Sequence, residues 1–266
     1  MTATIESPHN PRLQALRRLQ RRRERATSGR FLAEGEDLIA AAAQAGWEPL
    51  EGYRAAGSGL GDTRFCDVAP AALAAVSALG SGTRAIGVYR QRWSPSPLGP
   101  LCVYLHGLAD PGNVGSVLRS ALAFGASSAA LGPGCADPYS PKAVRASMGA
   151  IFAVALARVE DVAALPGLRV ALVAHAGRPL RELAPVLRKE GALSLLVGAE
   201  REGLPAAVLA DCEHVAHIPI RGDSLNAATA AAIALYEVSH PTGAAADPSQ
   251  LAAPQPAAPP SRVQAP

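Results

Sequence analysis

The sequence predicts an α/β protein: a parallel sheet with helices on both faces, preceded by a small α/β module that carries a basic helix. Two observations predict it. Between about Leu101 and His240, short and nearly continuous apolar runs alternate with helical patterns, as expected for strands buried on both faces and joined by crossover helices. Clusters of Gly, Asn, Asp and Ser follow several of these runs directly, at the strand ends where open parallel sheets bind ligands.

Taken in order, residues 1–92 form the first unit. Asn10-Pro11 opens a basic helix in which Leu13, Leu16 and Leu19 make a narrow apolar stripe. Phe31-Leu32-Ala33 is a predicted strand, Glu36 to Ala45 a helix, and Thr83 to Tyr89 a further short strand. Residues 93–100, Trp-Ser-Pro-Ser-Pro-Leu-Gly-Pro, are a predicted stiff linker, because each proline fixes φ and removes a donor. In the second unit, 101–240, the predicted strands are Leu101–Leu105, Ala129–Leu131, Val154–Ala157, Val170–Ala174, Leu193–Val197 and His214–Ile220. Its predicted helices are Val114–Phe124, Pro141–Ala150, Leu180–Glu190, Ala206–Ala210 and Asn226–Val238. Residues 241–266 are rich in Ala, Pro, Ser and Gln; they bury too little apolar surface to offset their ordering entropy and are expected to be a disordered tail.

Composition bounds the function. The 266 residues are 49% hydrophobic, enough for a sizeable core. Net charge is only +3, but Arg12, Arg17, Arg18, Arg21, Arg22, Arg23, Arg25 and Arg30 crowd one stretch with Glu24 alone opposing them, a pattern attractive to polyphosphate. Aromatic residues, at 4%, are too few for binding built mainly on stacking platforms. The four cysteines, Cys66, Cys102, Cys135 and Cys212, form no Cys-x-x-Cys pair, so reduced buried thiols are expected rather than a zinc knuckle or disulfide framework. His214 and His217 lack companion ligands, and no metal is expected. No apolar run reaches membrane-spanning length and no apolar leader opens the chain, so a soluble cytoplasmic protein with no membrane partner is expected.

Three loops carry chemistry. After Leu101–Leu105, Asp110-Pro111-Gly112-Asn113 is turn chemistry leading into a helix. Asn113 is a candidate cap, Gly115 a point of close approach, and Arg119 lies under two turns further on. After Leu193–Val197, Gly198-Ala199-Glu200-Arg201-Glu202-Gly203 makes a tight loop around a carboxylate, with Pro205 at the next helical turn. After His214–Ile220, Arg221-Gly222-Asp223-Ser224-Leu225-Asn226 leads into a long helix rich in Ala; Ser224 or Asn226 is its candidate N-cap, and its small side chains suit close packing against another element or a second subunit. Each loop alone reads as an ordinary capped turn. Together, at strand ends of one sheet, they are expected to converge on one rim.

These residues resemble the three motifs of the SpoU (TrmH-type) RNA 2′-O-ribose methyltransferases of the SPOUT superfamily: Asp110-Pro111-Gly112-Asn113-Val114-Gly115 with Arg119, Leu196-Val197-Gly198-Ala199-Glu200 with Gly203-Leu204, and Ile218-Pro219-Ile220 with Ser224-Leu225-Asn226. Ser140 to Phe152 is similar to a further stretch of that family, and Phe31-Leu32-Ala33-Glu34-Gly35 looks like the start of its small RNA-recognition module. The segment Arg221-Gly222-Asp223 is shorter than the family's usual loop.

The resemblance implies S-adenosylmethionine as cofactor, a C-terminal trefoil knot, a homodimer, and methylation of a ribose 2′-hydroxyl in structured RNA. Ribosomal RNA is favoured over transfer RNA, since a separate N-terminal module tends to accompany large RNA substrates in that family. It implies that Gly198, Ile218 and Leu225 hold the cofactor, and that Asn113, Arg119, Glu200, Ser224 and Asn226 form the reaction site. Arg17, Arg21, Arg22 and Arg30 are the candidate RNA contacts. Two rivals stand beside this reading. One is a catalytically silent RNA-binding protein on the same fold. The other, a nucleotide-cofactor enzyme for small molecules, needs a glycine-rich first loop that His106-Gly107-Leu108-Ala109 does not supply.

Overall fold

The computed structural model describes residues 4–60, 64–78 and 82–240; the tail 241–266, expected to be disordered, lies outside the described residues. The basic stretch folds as two helices. In α1 (Pro11–Leu19), the Asn10 side chain accepts the Arg12 N–H and Pro11 takes the first turn; Leu13, Leu16 and Leu19 are all buried. The chain turns at Gln20-Arg21 into α2 (Arg22–Ser28), which ends at Gly29 with φ +63°.

A four-stranded sheet follows from β1 (Arg30–Glu34), β2 (Glu51–Ala55), β3 (Phe65–Val68) and β4 (Ala85–Arg90), in the order β1-β4-β2-β3. β4 runs antiparallel to β1 and β2, and β2 is parallel to β3. Helices α3 (Glu36–Gln44) and α4 (Pro70–Val76) connect them. Alternation along β1 divides two cores: Leu32 points to the α1 and α4 side with Leu13, Leu16 and Leu73, whereas Phe31 and Ala33 point into the core of the second half.

That second half is a seven-stranded, all-parallel sheet in the order β7-β6-β5-β10-β8-β11-β9. Its elements run β5 (Leu101–Leu105), α5 (Pro111–Ala123), β6 (Ser128–Leu131), α6 (Pro141–Ala146), β7 (Ala155–Arg158), β8 (Leu168–Val173), β9 (Arg178–Pro179), α7 (Leu180–Leu187), β10 (Leu193–Val197), α8 (Ala206–Ala210), β11 (His214–His217) and α9 (Ala227–Ser239). The two faces are covered unequally. Residues of α5, α6, α7 and α9 pack on one, together with Phe31, Trp47 and Tyr89 of the first half; the short α8 and a turn at Val162–Ala164 cover the other.

Three predicted elements end early. The strand from His214 stops at His217, because Pro219 has no N–H to continue the ladder and restricts the residue before it. The helix from Pro141 stops at Ala146; Met148 and Gly149 then take φ +47° and +92°, turning the chain into a 3-10 turn at Ala150–Phe152 that meets α3. The helix from Leu180 stops at Leu187, two residues past Pro185. Residues 93–100 lie pinned along the sheet: Ser94 N–H donates to the Leu156 carbonyl (2.6 Å), and the Ser128 hydroxyl bonds both the N–H (2.9 Å) and the carbonyl (2.7 Å) of Leu98. No helix among the described residues is long and apolar enough to cross a membrane.

Candidate active site

Because the sheet is parallel, β5, β10 and β11 all release their following loops at one rim. β5 and β10 are neighbours, so the loops after them touch: a Cβ on Gly107 would lie 3.2 Å from the Ala199 Cβ. β11 lies two strands further out, beyond β8. Its loop returns along the rim to Asn226, the start of α9, and α9 packs on α5.

There Asn113, Glu200 and Asn226 meet. Glu200 Oε1 accepts from Asn113 Nδ2 (2.8 Å) and from Asn226 Nδ2 (2.7 Å), and Asn226 Nδ2 also approaches Asn113 Oδ1 (3.1 Å). Among the described residues, Glu200 Oε2 has no hydrogen-bond donor and remains an open acceptor.

Local capping explains why these side chains are available. Asp110, not Asn113, caps α5: its Oδ1 accepts the Gly112 N–H (2.7 Å) and pairs with Lys142 (2.7 Å). Lys142 and that N–H hold the Asp110 carboxyl below its usual range. Asn113, in the first helical turn, is therefore released to reach Glu200. Asn226 serves both roles. Its Oδ1 caps α9, accepting from Ala228 N (2.9 Å) and Thr229 N (3.2 Å), while its Nδ2 faces Glu200. Ser224, the other candidate cap, is exposed and makes no hydrogen bond among the described residues.

Two glycines mark places where backbone comes close. A Cβ on Gly198 would fall 2.2 Å from the Gly203 carbonyl carbon, so this glycine lets its own loop fold back; Ala199 and Gly203 bond each other's backbones there (3.2 and 2.9 Å). A Cβ on Gly115 would fall 2.3 Å from the Ala143 carbonyl, so the close approach at Gly115 is that of α6, not of a ligand.

The structure leaves Arg119 outside the hydrogen-bonded trio. It lies exposed on α5, about 9 Å along the axis from Asn113. Arg17, Arg21 and Arg22 are exposed on the α1–α2 surface. Arg30 is exposed and pairs with Glu51 (3.4 Å). Arg25, grouped with them by sequence, has left the surface: it is 3% exposed and paired with Asp137 (2.7 Å). Sequence reasoning missed His175, whose Nε2 meets the Asp223 carbonyl (2.6 Å) and pins the short third loop. The partners are 48 residues apart, and nothing local signals the contact.

A family model, the SpoU rRNA Methylase family, matches residues 100–236, a little over half of the chain. The chain belongs to the SpoU rRNA methylase family. A second family model, the MRM3-like substrate binding domain, matches residues 10–59 of this SpoU protein. A Synechocystis relative, named as a tRNA/rRNA methyltransferase, is 30% identical over 92% of this chain and 97% of its own length. A Bacillus subtilis relative, named as a 23S rRNA (guanosine(2553)-2′-O)-methyltransferase, is 26% identical over 88% of this chain and 98% of its own. The chain spans about half the length (49%) of a Mycobacterium bovis tRNA/rRNA methyltransferase that it matches at 39% identity over half (50%) of its own residues. Among solved structures, that of an AdoMet-bound rRNA methyltransferase from Sinorhizobium meliloti superposes with a TM-score of 0.76 at 30% identity, covering 89% of this chain and 97% of that one.

The SpoU chain's residues fit such a cofactor by their donor chemistry. From Pro219 to Leu225 the third loop makes no backbone–backbone hydrogen bond among the described residues, although Ile220 and Leu225 are half-buried. Backbone groups left unpaired beside the trio are available to the polar edge of a nucleoside. A cleft at the start of this loop, lined by Leu180, Arg181, Ile218, Pro219, Ile233 and Glu237, holds about 170 Å³, less than the roughly 300 Å³ at which small-molecule sites begin.

Proposed function

We propose that this chain is an RNA methyltransferase that moves the methyl group of S-adenosylmethionine to a ribose 2′-hydroxyl, with ribosomal RNA as substrate. The observation that carries the reading is the convergence of Asn113, Glu200 and Asn226, three separate strand-end loops apart in sequence, on one carboxylate oxygen. The names of the Bacillus and Sinorhizobium relatives and the substrate-binding match at residues 10–59 support it.

The cofactor, when bound, supplies an already activated methyl group on a sulfonium. The protein then has to orient the acceptor and handle its proton. Glu200 Oε2 is the acceptor for the ribose hydroxyl hydrogen; Asn113 and Asn226 fix the carboxylate plane. Gly198, after β10, and Ile218 and Leu225, after β11, would hold the cofactor through their backbones. Arg119 binds a phosphate next to the target ribose and stabilises charge developing on oxygen. Helical side chains lean toward the helix N-terminus, here the end that carries Asn113, and a guanidinium holds its proton too tightly to be a good general base. Ser224 is a further hydroxyl at the rim of the same site. The proposal includes Arg17, Arg21, Arg22 and Arg30 as RNA contacts, a trefoil knot in the C-terminal segment, a homodimer and a cytoplasmic location.

Incubating the protein with methyl-labelled S-adenosylmethionine and unmodified ribosomal RNA transcripts should place label on a ribose 2′-oxygen, and Glu200→Ala should abolish it. Calorimetry with S-adenosylmethionine separates the silent-platform reading: a platform protein need not bind the cofactor. Label on a base rather than a sugar would remove the proposed chemistry.

A further inference from the structure

Two arginines that the sequence did not single out are held in an unusual way at the seam between the two sheets. The Arg92 guanidinium carbon lies 4.0 Å from the Trp47 ring centroid, and that of Arg158 lies 4.2 Å from the Trp93 ring. Both arginines are exposed, and among the described residues neither has a carboxylate in ion-pair range, unlike Arg25, Arg30, Arg54, Arg84 and Arg169. The indoles beneath them are fixed. Trp47 donates its ring N–H to the Phe152 carbonyl (2.8 Å) and meets Phe152 edge-on (5.2 Å); Trp93 meets Tyr139 edge-on (5.4 Å). The Tyr139 hydroxyl in turn bonds the backbone N–H and carbonyl of Arg92 (3.1 and 2.5 Å). Both guanidinium charges act on that buried hydroxyl, as does the Asp137 carboxylate, which Arg25 already pairs.

Their place in the fold gives the pair a direction. Arg158 ends β7, an edge strand, at the same rim as the trio and two strands from β5, about 10 Å away. Arg92 follows β4, whose exit is tied to the end of α2: Gln91 N–H donates to the Gly29 carbonyl (2.7 Å), and Gln91 Nε2 to the Arg25 carbonyl (3.3 Å). Arg92 is thus tied to the end of the basic helix pair, and Arg158 to the rim that carries the trio.

We propose that Arg92 and Arg158, stacked on Trp47 and Trp93, form a pre-set clamp for the phosphodiester backbone of the RNA substrate between the basic helices and the target ribose. This rests on the RNA-methylation reading above. A stacked guanidinium keeps its N–H edges outward in a fixed plane, so it loses less freedom on meeting a phosphate than an unsupported side chain.

The test uses the full chain, S-adenosylmethionine and unmodified ribosomal RNA transcripts. The Arg92→Gln/Arg158→Gln double variant should raise KM for the RNA about tenfold, change kcat less, and leave S-adenosylmethionine affinity unchanged. It should flatten the dependence of log affinity on log salt by about 1.5, two phosphate contacts at roughly 0.7–0.9 each. Arg178→Gln removes one charge at the opposite edge of the sheet and should change none of these. Lysine at both positions should restore the salt slope but only part of KM; full restoration of KM would overturn the pre-set geometry. Unchanged KM and slope in the double glutamine variant would overturn the clamp. If the wild-type protein transfers no methyl group to RNA, the methylation reading fails separately, and the clamp stands or falls on the salt slope of RNA binding alone.

Discussion

At the residue scale, Asn226 holds two sets of partners with one side chain, and the proposed chemistry depends on only one of them. Its oxygen closes the first turn of α9 and its nitrogen orients Glu200, so an alanine there loses both roles. Aspartate separates them. Asp is as good an N-cap as Asn, but it has no N–H for Glu200 and sets a second carboxylate against it. Asn226→Ala should cost about 1 kcal/mol of stability together with methyl transfer. Asn226→Asp should melt close to wild type yet lose transfer to a similar extent. A urea titration and a label-transfer assay on the same two proteins check this; an active Asn226→Asp would show that Asn226 serves only as a cap.

At the element scale, α5 is held between α6 and α9 by small residues, and Gly115 is where it touches α6. The alanine Cβ at that position would stand 2.3 Å from the Ala143 carbonyl and 2.7 Å from the Ala146 Cβ, both on a helix that cannot swing aside as a long side chain can. Gly115→Ala should therefore destabilise by about 1–3 kcal/mol through overpacking, despite the better helix propensity of alanine. A stabilised variant in urea unfolding would mean that the two helices part easily. The same region shows what was legible in the sequence. The strands Leu101–Leu105 and Leu193–Val197 and the convergence of their loops were readable from local apolar runs and turn residues, because those signals are local. That Asp110 rather than Asn113 caps α5, and that α6 is what arrives at Gly115, were not, because both are settled with partners some 30 residues away. The burial of Arg25 was hidden for the same reason: its partner Asp137 is 112 residues on.

At the scale of the whole molecule the two sheets share one core. Phe31, Trp47 and Tyr89 of the first half pack with Tyr139 and Phe152 of the second, with ring centroids 4.7–6.1 Å apart. Beside this aromatic seam Arg25 makes the polar counterpart. It bonds Asp137 through Nε (2.8 Å), and its Nη1 meets the carbonyls of Leu19 (2.9 Å) and Gln20 (2.7 Å) at the end of α1. Asp137 belongs to the segment that pairs with the loop leading to Asn113, through Gly107 N–H to Pro133 and Ala136 N–H to Leu108. The basic helices and the reaction loop are thus joined through one ion pair. Removing one member strands the other: Arg25→Met leaves a carboxylate only 15% exposed and two helix-end carbonyls without their donor, a loss of about 3–5 kcal/mol. Adding Asp137→Leu removes the stranded charge and should recover part of that loss, because a buried pair replaced by apolar groups is often close to neutral. Unfolding followed by tryptophan fluorescence and by far-ultraviolet circular dichroism should give one coincident transition for the wild type, since Trp47 and Trp93 sit in the shared core. A double variant less stable than Arg25→Met alone would show that Asp137 holds its loop by other contacts, and two separate transitions would show that the halves fold independently.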